Sequence, residues 1–234
     1  MEKQEQAERY RTIAAEGCSE IVEKKSRFIA ALTPVSTQEE AFLFLDAVRK
    51  KYYDARHHCY AFITGINGGL ERWGDDGEPG GTAGRPMLEV LRGAELTNVA
   101  AVVTRYFGGT LLGTGGLSRA YAQAVRQALD TCSIVTMRRG QRYVITADYG
   151  FSGKLQHFFA QRKITTEETV YTDKVEFHIL APCQVQAELQ KEIIARQEEN
   201  ETLISLGDPK RLIPIHLVTI LDSYGENILM IVAS

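Results

Sequence analysis

"NVAAVVTRYFGGTLLGTGGLSRAYAQAVRQAL", residues 98–129, decides the fold class. It opens with a largely apolar run, uncharged from Val99 to Val103, the pattern of a strand covered on both faces. It closes with Leu117, Ala120, Tyr121, Ala124, Val125, Ala128 and Leu129 at helical spacing. Between the two, five glycines fall in the nine positions from Gly108 to Gly116. The reading is a buried strand, a glycine turn and a helix that starts near Thr114 as its N-cap. Such a unit belongs to a protein that mixes α and β structure.

The flanks extend this pattern. "KKSRFIAALTPV" (24–35) is strand-like and ends at Pro34. Thr37 and Glu40 have capping-box spacing, and Ala41, Phe42, Leu45 and Val48 form an apolar stripe towards Lys51. "HHCYAFIT" (57–64) is a second strand, followed by the glycine-rich stretch "GINGGLERWGDDGEPGGTAG" (65–84), and Pro86 suits the first turn of a helix reaching Arg92. Beyond residue 136 come "QRYVITADY" as a strand, "FSGKLQHFFAQR" as a helix, and "ITTEETVY" with "KVEFHIL" as a hairpin through Thr172-Asp173. "CQVQAELQKEIIAR" then reads as a helix and "ETLISL" as a strand. That order, βαββαβ, fits a ferredoxin-like sandwich. The expected division is 1–135, 136–208 and a tail at 209–234, where "RLIPIHLVTIL" and "ENILMIVAS" read as two strands joined around "DSYG".

Composition narrows the function classes. The 234 residues are 44% hydrophobic and 24% charged, with a net charge of −3, so bulk charge supplies no polyanion binding. A nucleic-acid role therefore needs a local patch. The four cysteines, Cys18, Cys59, Cys132 and Cys183, form no C-x-x-C pair, which argues for reduced thiols and a cytoplasmic protein. "MEKQEQAERYRTIAAEG" is charged from its second residue, and no stretch approaches the ~20 apolar residues of a membrane span.

The glycine-rich segment at 108–116 fails both phosphate-loop patterns. Gly108 and Gly113 have Walker A spacing, but Thr114 stands where lysine is needed. Gly113 and Gly115 begin a dinucleotide-binding fingerprint, but Ser118 replaces its third glycine. What survives is general: a glycine-rich helix start bares backbone N–H groups at the positive end of a dipole, with Arg105 before it and Arg119 just after. The alternative is that these glycines only permit a tight crossover. In "DDGEPGGTAGRP" (75–86), Asp75, Asp76 and Glu78 could hold a cation or act as acid and base, or simply form an exposed turn. His57 and His58 point to opposite faces of a strand, and no G-x-S-x-G nucleophile elbow occurs. Lys24, Lys25, Arg27 and Arg56 lie at strand starts, either lining a positive groove or forming a solvated face.

Three segments together, "YDARHHCYAF" (53–62), "DDGEPGGTAGRPML" (75–88) and "VVTRYFGGTLLGTGGLSRAY" (102–121), closely resemble the signature of the IMPACT family, in particular its bacterial YigZ-type members. "KKSRF" (24–28) fits the same pattern, and the likeness is strong over 18–131. The resemblance implies an α+β protein of two domains. The first is a two-layer α/β sandwich like domain IV of elongation factor G, and the second is ferredoxin-like, similar to that factor's domain V. Both folds meet RNA on the ribosome. Eukaryotic relatives regulate translation under amino-acid starvation, which adds a protein partner in translation control to the expected partners, RNA or ribosomes. Gly80 stands where many relatives have alanine or serine.

The expected function is therefore a non-catalytic regulatory binding protein with a basic, glycine-rich anion-binding cleft and no cofactor, metal or membrane partner. The cleft would comprise Arg27, His57, Arg85, Arg105, Gly108, Gly109, Gly113, Thr114, Gly115, Gly116 and Arg119. Asp75, Asp76, Glu78 and Thr82 would brace its loop. The alternative is an enzyme acting on a small phosphorylated or peptide-like substrate, with His57 or His58 as base and the Asp75-Asp76-Glu78 turn holding Mg²⁺.

Overall fold

The computed structural model describes residues 9–65, 68–182, 185, 187–189, 191, 218–221 and 227–232. The chain divides into two compact units, 1–136 and 137–234.

In the first unit, β2 (Gly17–Glu23), β3 (Ser26–Pro34), β4 (His57–Thr64), β5 (Leu70–Gly74) and β6 (Val99–Tyr106) form one sheet in the order β2-β3-β6-β4-β5. Every neighbouring pair runs antiparallel. β1 (Arg9–Ile13) lies beside residues 96–98, where Thr97 N donates to the Arg11 carbonyl at 2.9 Å. The apolar run from Val99 to Val103 lies in the central strand, β6, and it is covered on both faces. Val99, Ala101 and Val103 pack with Phe28, Ala30, Cys59 and Ala61 under α2 (Gly84–Gly93) and α3 (Gly113–Leu129). Ala100 and Val102, pointing the other way, pack with Ala41, Leu45 and Val48 of α1 (Gln38–Lys51). A strand between two helical layers must be apolar at successive positions, which is why it reads as a run rather than an alternation. α1 starts at the expected cap: Glu40 N donates to Thr37 Oγ1 at 3.2 Å, and the Glu40 carboxylate accepts from Ser36 N. Because α1 lies over β4 and β6, the outer face of β2 and β3 borders a groove of about 750 Å³ lined by Ile29, Ala31, Phe44, Val48, Lys51 and Tyr52 among others.

β7 (Ile134–Ala147) begins in the last residues of the first unit and runs on into the second, which also has α4 (Tyr149–Gln161), β8 (Thr165–Tyr171) and β9 (Val175–Pro182). β9 pairs antiparallel with both β7 and β8, so the sheet order runs β7-β9-β8. This is the split βαβ of a ferredoxin-like sandwich. Phe151, Leu155 and Phe159 of α4 bury against Ile145, Phe177 and Ile179. β10 (Val218–Leu221) and β11 (Asn227–Val232) pair antiparallel, and β11 lies beside β7. The strand expected at 201–206 falls outside the described residues, as does most of the helix expected at 183–196.

Candidate functional site

The register brings the chemistry of the first unit to one end of its sheet. Arg27 is paired with Tyr106, and Arg105 with both Phe28 and His57. The start of β3, the start of β4 and the end of β6 therefore lie side by side. From that end the chain leaves β6 through the loop 107–112 and enters α3.

The two glycine-rich stretches meet at a buried ion pair. Arg105 donates from Nη1 to Glu78 Oε1 at 2.6 Å, and both side chains are nearly sealed, at 6% and 4% exposure. Tyr121 of α3 donates its hydroxyl to the same Glu78 oxygen at 2.8 Å. Burial, followed by neighbouring Cys59 and Glu78, holds the Tyr121 hydroxyl protonated well above the ordinary tyrosine range. The Cys59 thiol has the Asp75 carbonyl at 3.0 Å and Tyr121 Oη at 3.3 Å as acceptors for its one proton, and burial pushes it far above the ordinary thiol range. Arg105 also packs its guanidinium against the Phe28 and Phe107 rings, 5.4 and 5.5 Å from their centroids. Arg105 thus faces a carboxylate and not solvent, because it stands on the strand that both helical layers cover. A guanidinium placed there must be neutralised.

The acidic turn is engaged from three directions. Asp75 accepts from Gly81 N at 2.6 Å, Ala83 N at 3.0 Å and Gly84 N at 2.8 Å, so its carboxylate fills the mouth of α2. Asp76 accepts from His58 N at 2.7 Å and from Arg49 Nη2 at 3.0 Å. Thr82 Oγ1 donates to the Pro79 carbonyl at 2.7 Å. The two histidines are spoken for as well. His57 Nδ1 bonds the Asp76 carbonyl at 2.8 Å, and buried His58 bonds the Tyr52 carbonyl through Nε2 at 3.1 Å.

The mouth of α3 is different. The helix begins at Gly113 with Leu112 at its N-cap and no side-chain cap, one to two residues before the expected start. Thr114 sits inside the first turn, so its hydroxyl does not precede the free amides as a capping group must. Gly113, Thr114 and Gly115 are exposed, and the Gly113 backbone has φ +72°, a conformation that favours glycine. Arg119 folds back over this turn: a methyl placed on Gly115 would lie 3.5 Å from Arg119 Nη1. Gly108 serves a different need. A methyl there would collide with the Lys25 carbonyl, so the loop lies directly on the β2–β3 turn. Ser26 Oγ accepts from Gly108 N at 3.1 Å and fastens the two together. Gly109 is exposed and Gly116 packs against Leu112. Arg85 is exposed on the first turn of α2, whose amides Asp75 already occupies. Arg27 is paired with Glu20 through two hydrogen bonds, 2.8 and 3.1 Å.

Sequence reasoning alone names basic residues at this end but misses the aromatic side chains that stand beside them. Tyr53 and Phe107 are 85% and 47% exposed, and Tyr106 donates its hydroxyl to Asp54 Oδ1 at 2.7 Å. A signal is present in "RKKYYDAR" (49–56), where tyrosines interrupt a basic run at the close of α1.

Residues 24–129 match the Impact N-terminal domain, and residues 145–196 match a domain of unknown function, DUF1949. The IMPACT family member YvyE of Bacillus subtilis is 42% identical over 168 residues, covering 72% of this chain and 77% of YvyE. The chain belongs to the IMPACT family. Another IMPACT member, YigZ of Escherichia coli, is 44% identical over 128 residues, covering 54% of this chain and 63% of YigZ. A solved structure of a hypothetical protein, 33% identical, superposes with a TM-score of 0.59 over 84% of this chain and 96% of its own. The Impact N-terminal match begins just after β2 and contains every site residue from Lys24 to Tyr121, so the site lies within the part shared with the family.

Proposed function

We propose that this IMPACT-family chain is a non-catalytic regulatory protein of translation that contacts RNA or ribosomes through the glycine-rich end of its first unit. One observation carries the reading: the start of α3 is exposed, lacks a side-chain cap and has the Arg119 guanidinium folded over it. Free amides at the positive end of a helix receive anionic oxygens, and an arginine adds charge and a second pair of donors. Lys24 and Lys25 stand exposed on the turn against which Gly108 packs, and among the described residues neither forms an ion pair. Phosphates held this way position a strand without reading its sequence.

A non-catalytic role is supported by how the titratable groups are used. Asp75, Asp76 and Glu78 each accept hydrogen bonds from the protein itself, and both histidines are bonded to main-chain carbonyls. The link to translation is the one the family resemblance implies.

Filter binding to total RNA across a salt series tests this. Lys25→Ala and Arg119→Ala should each weaken binding and make its salt dependence shallower, by about 0.7–0.9 in log–log slope for each phosphate no longer neutralised. Affinity and slope equal to wild type in both variants would overturn the proposal.

A further inference from the structure

Beyond the phosphate-binding groups, the same end of the sheet carries exposed rings: Tyr53, and Phe107, which rests partly against the Arg105 guanidinium. α1 ends in Arg49, Lys50 and Lys51, and the chain continues through Tyr52, Tyr53, Asp54 and Arg56 into β4. Tyr53 is 85% exposed. The Tyr106 hydroxyl on Asp54 ties this segment to the end of β6, and Phe107, 47% exposed, is the next residue along. Beyond Phe107, Gly108 rests on the Lys24–Lys25 turn. Exposed cations flank both ring-bearing segments: Lys50, Lys51 and Arg56 stand beside Tyr53 in the chain, and Lys24 and Lys25 stand on the turn against which Gly108 rests. Of the carboxylates in these segments, Asp54 is held by Tyr106 and Glu20 by Arg27, leaving Glu23 beside the turn. Arg27 itself lies 5.4 Å from the Tyr106 ring centroid, so even the paired guanidinium is held against an aromatic surface.

We infer that this end of the sheet binds an unpaired RNA strand, with bases stacking on Tyr53 and Phe107 while the lysines and Arg56 follow the backbone. The inference rests on the phosphate-binding reading above and names its ligand. A duplex keeps its bases stacked on one another and offers a protein only backbone and groove edges, so exposed rings gain nothing from it. A single strand presents base faces, and stacking on an aromatic side chain is sequence-tolerant because every base has a π-face. Alternation of rings with cations is the combination that such a strand rewards.

The test is fluorescence anisotropy of the full chain with a labelled oligouridine and with a labelled RNA hairpin stem of the same phosphate count. Wild type should bind the oligouridine more tightly than the stem. Tyr53→Ala and Phe107→Ala should each lose about fivefold or more in oligouridine affinity, with the salt slope unchanged because no cation is removed. Tyr53→Phe, which keeps the ring, should bind like wild type. Tyr53 is exposed, so the alanine variant should fold, and its melting temperature checks this. Equal binding of stem and oligouridine, with the alanine variants behaving as wild type, overturns the stacking inference and leaves the phosphate-binding reading standing. Failure to bind either RNA overturns both.

Discussion

The two glycine-rich stretches of the first unit open two helices, and the protein treats them in opposite ways. At 75–84 the helix mouth is closed from within: Asp75 occupies three amides, while Glu78 is buried against Arg105 and Tyr121. At 107–116 the mouth is bare, with exposed residues from Gly113 to Gly115 and no capping side chain. Composition alone does not separate them, since "GGT" occurs in both. The difference is whether a carboxylate of the protein itself already sits where an external anion would. The closed stretch also acts on the open one, because Glu78 holds Arg105, and Arg105 lies two residues before the loop into α3.

The strongest way to break this arrangement is to remove the buried acid. Glu78→Ala leaves the Arg105 guanidinium buried without a counter-charge and should cost about 3–5 kcal/mol in urea unfolding. Combining Glu78→Leu and Arg105→Met with Tyr121→Phe should recover most of that loss, since the ion pair and the hydroxyl bonded to it are then replaced together by apolar groups of similar bulk. A single-variant cost below about 1 kcal/mol would show that the ion pair does not hold the two stretches together. Next comes Gly108→Ala, whose methyl would strike the Lys25 backbone; a loss of about 3 kcal/mol is expected from a clash that no side-chain rotation relieves. Asp75→Ala empties the closed mouth and should cost about 2 kcal/mol, the upper end for an N-cap, measured by the same unfolding series. Gly113→Ala, where nothing lies within 4 Å but φ is +72°, should cost only about 1 kcal/mol. At the small end, Arg119→Ala should leave stability within about 0.5 kcal/mol of wild type while weakening RNA binding. If Asp75→Ala and Arg119→Ala instead gave equal losses of stability, the contrast between a closed and an open mouth would fail.

Much of this is legible in the residues. The unbroken apolar run from Val99 to Val103 announces a central strand, and it lies between α1 on one face and α2 with α3 on the other. Thr37 and Glu40 announce the start of α1, and their hydrogen bond forms. Other elements are not legible. β5 (Leu70–Gly74) sits inside a stretch whose glycines read as loop, and it is held by pairing with β4 rather than by local preference. β2 (Gly17–Glu23) has two glutamates and little alternation, yet seven residues pair with β3. The rim of Tyr53, Tyr106 and Phe107 escapes a reading of the chain because its parts come from separate segments that only strand register brings together.

By itself, the sequence determined which segments could be strands or helices and where the backbone needed glycine, since these follow from local sterics, apolar period and main-chain hydrogen bonding. Only the tertiary structure decided which arginine was spent inside and which was left at the surface. Arg105 and Arg119 are alike as residues, but one stands on a strand covered on both faces, with a carboxylate 27 positions away brought to 2.6 Å, and the other on the outer turn of a helix. A charge's role depends on the dielectric and the partner it meets, and both are set by residues distant in the chain.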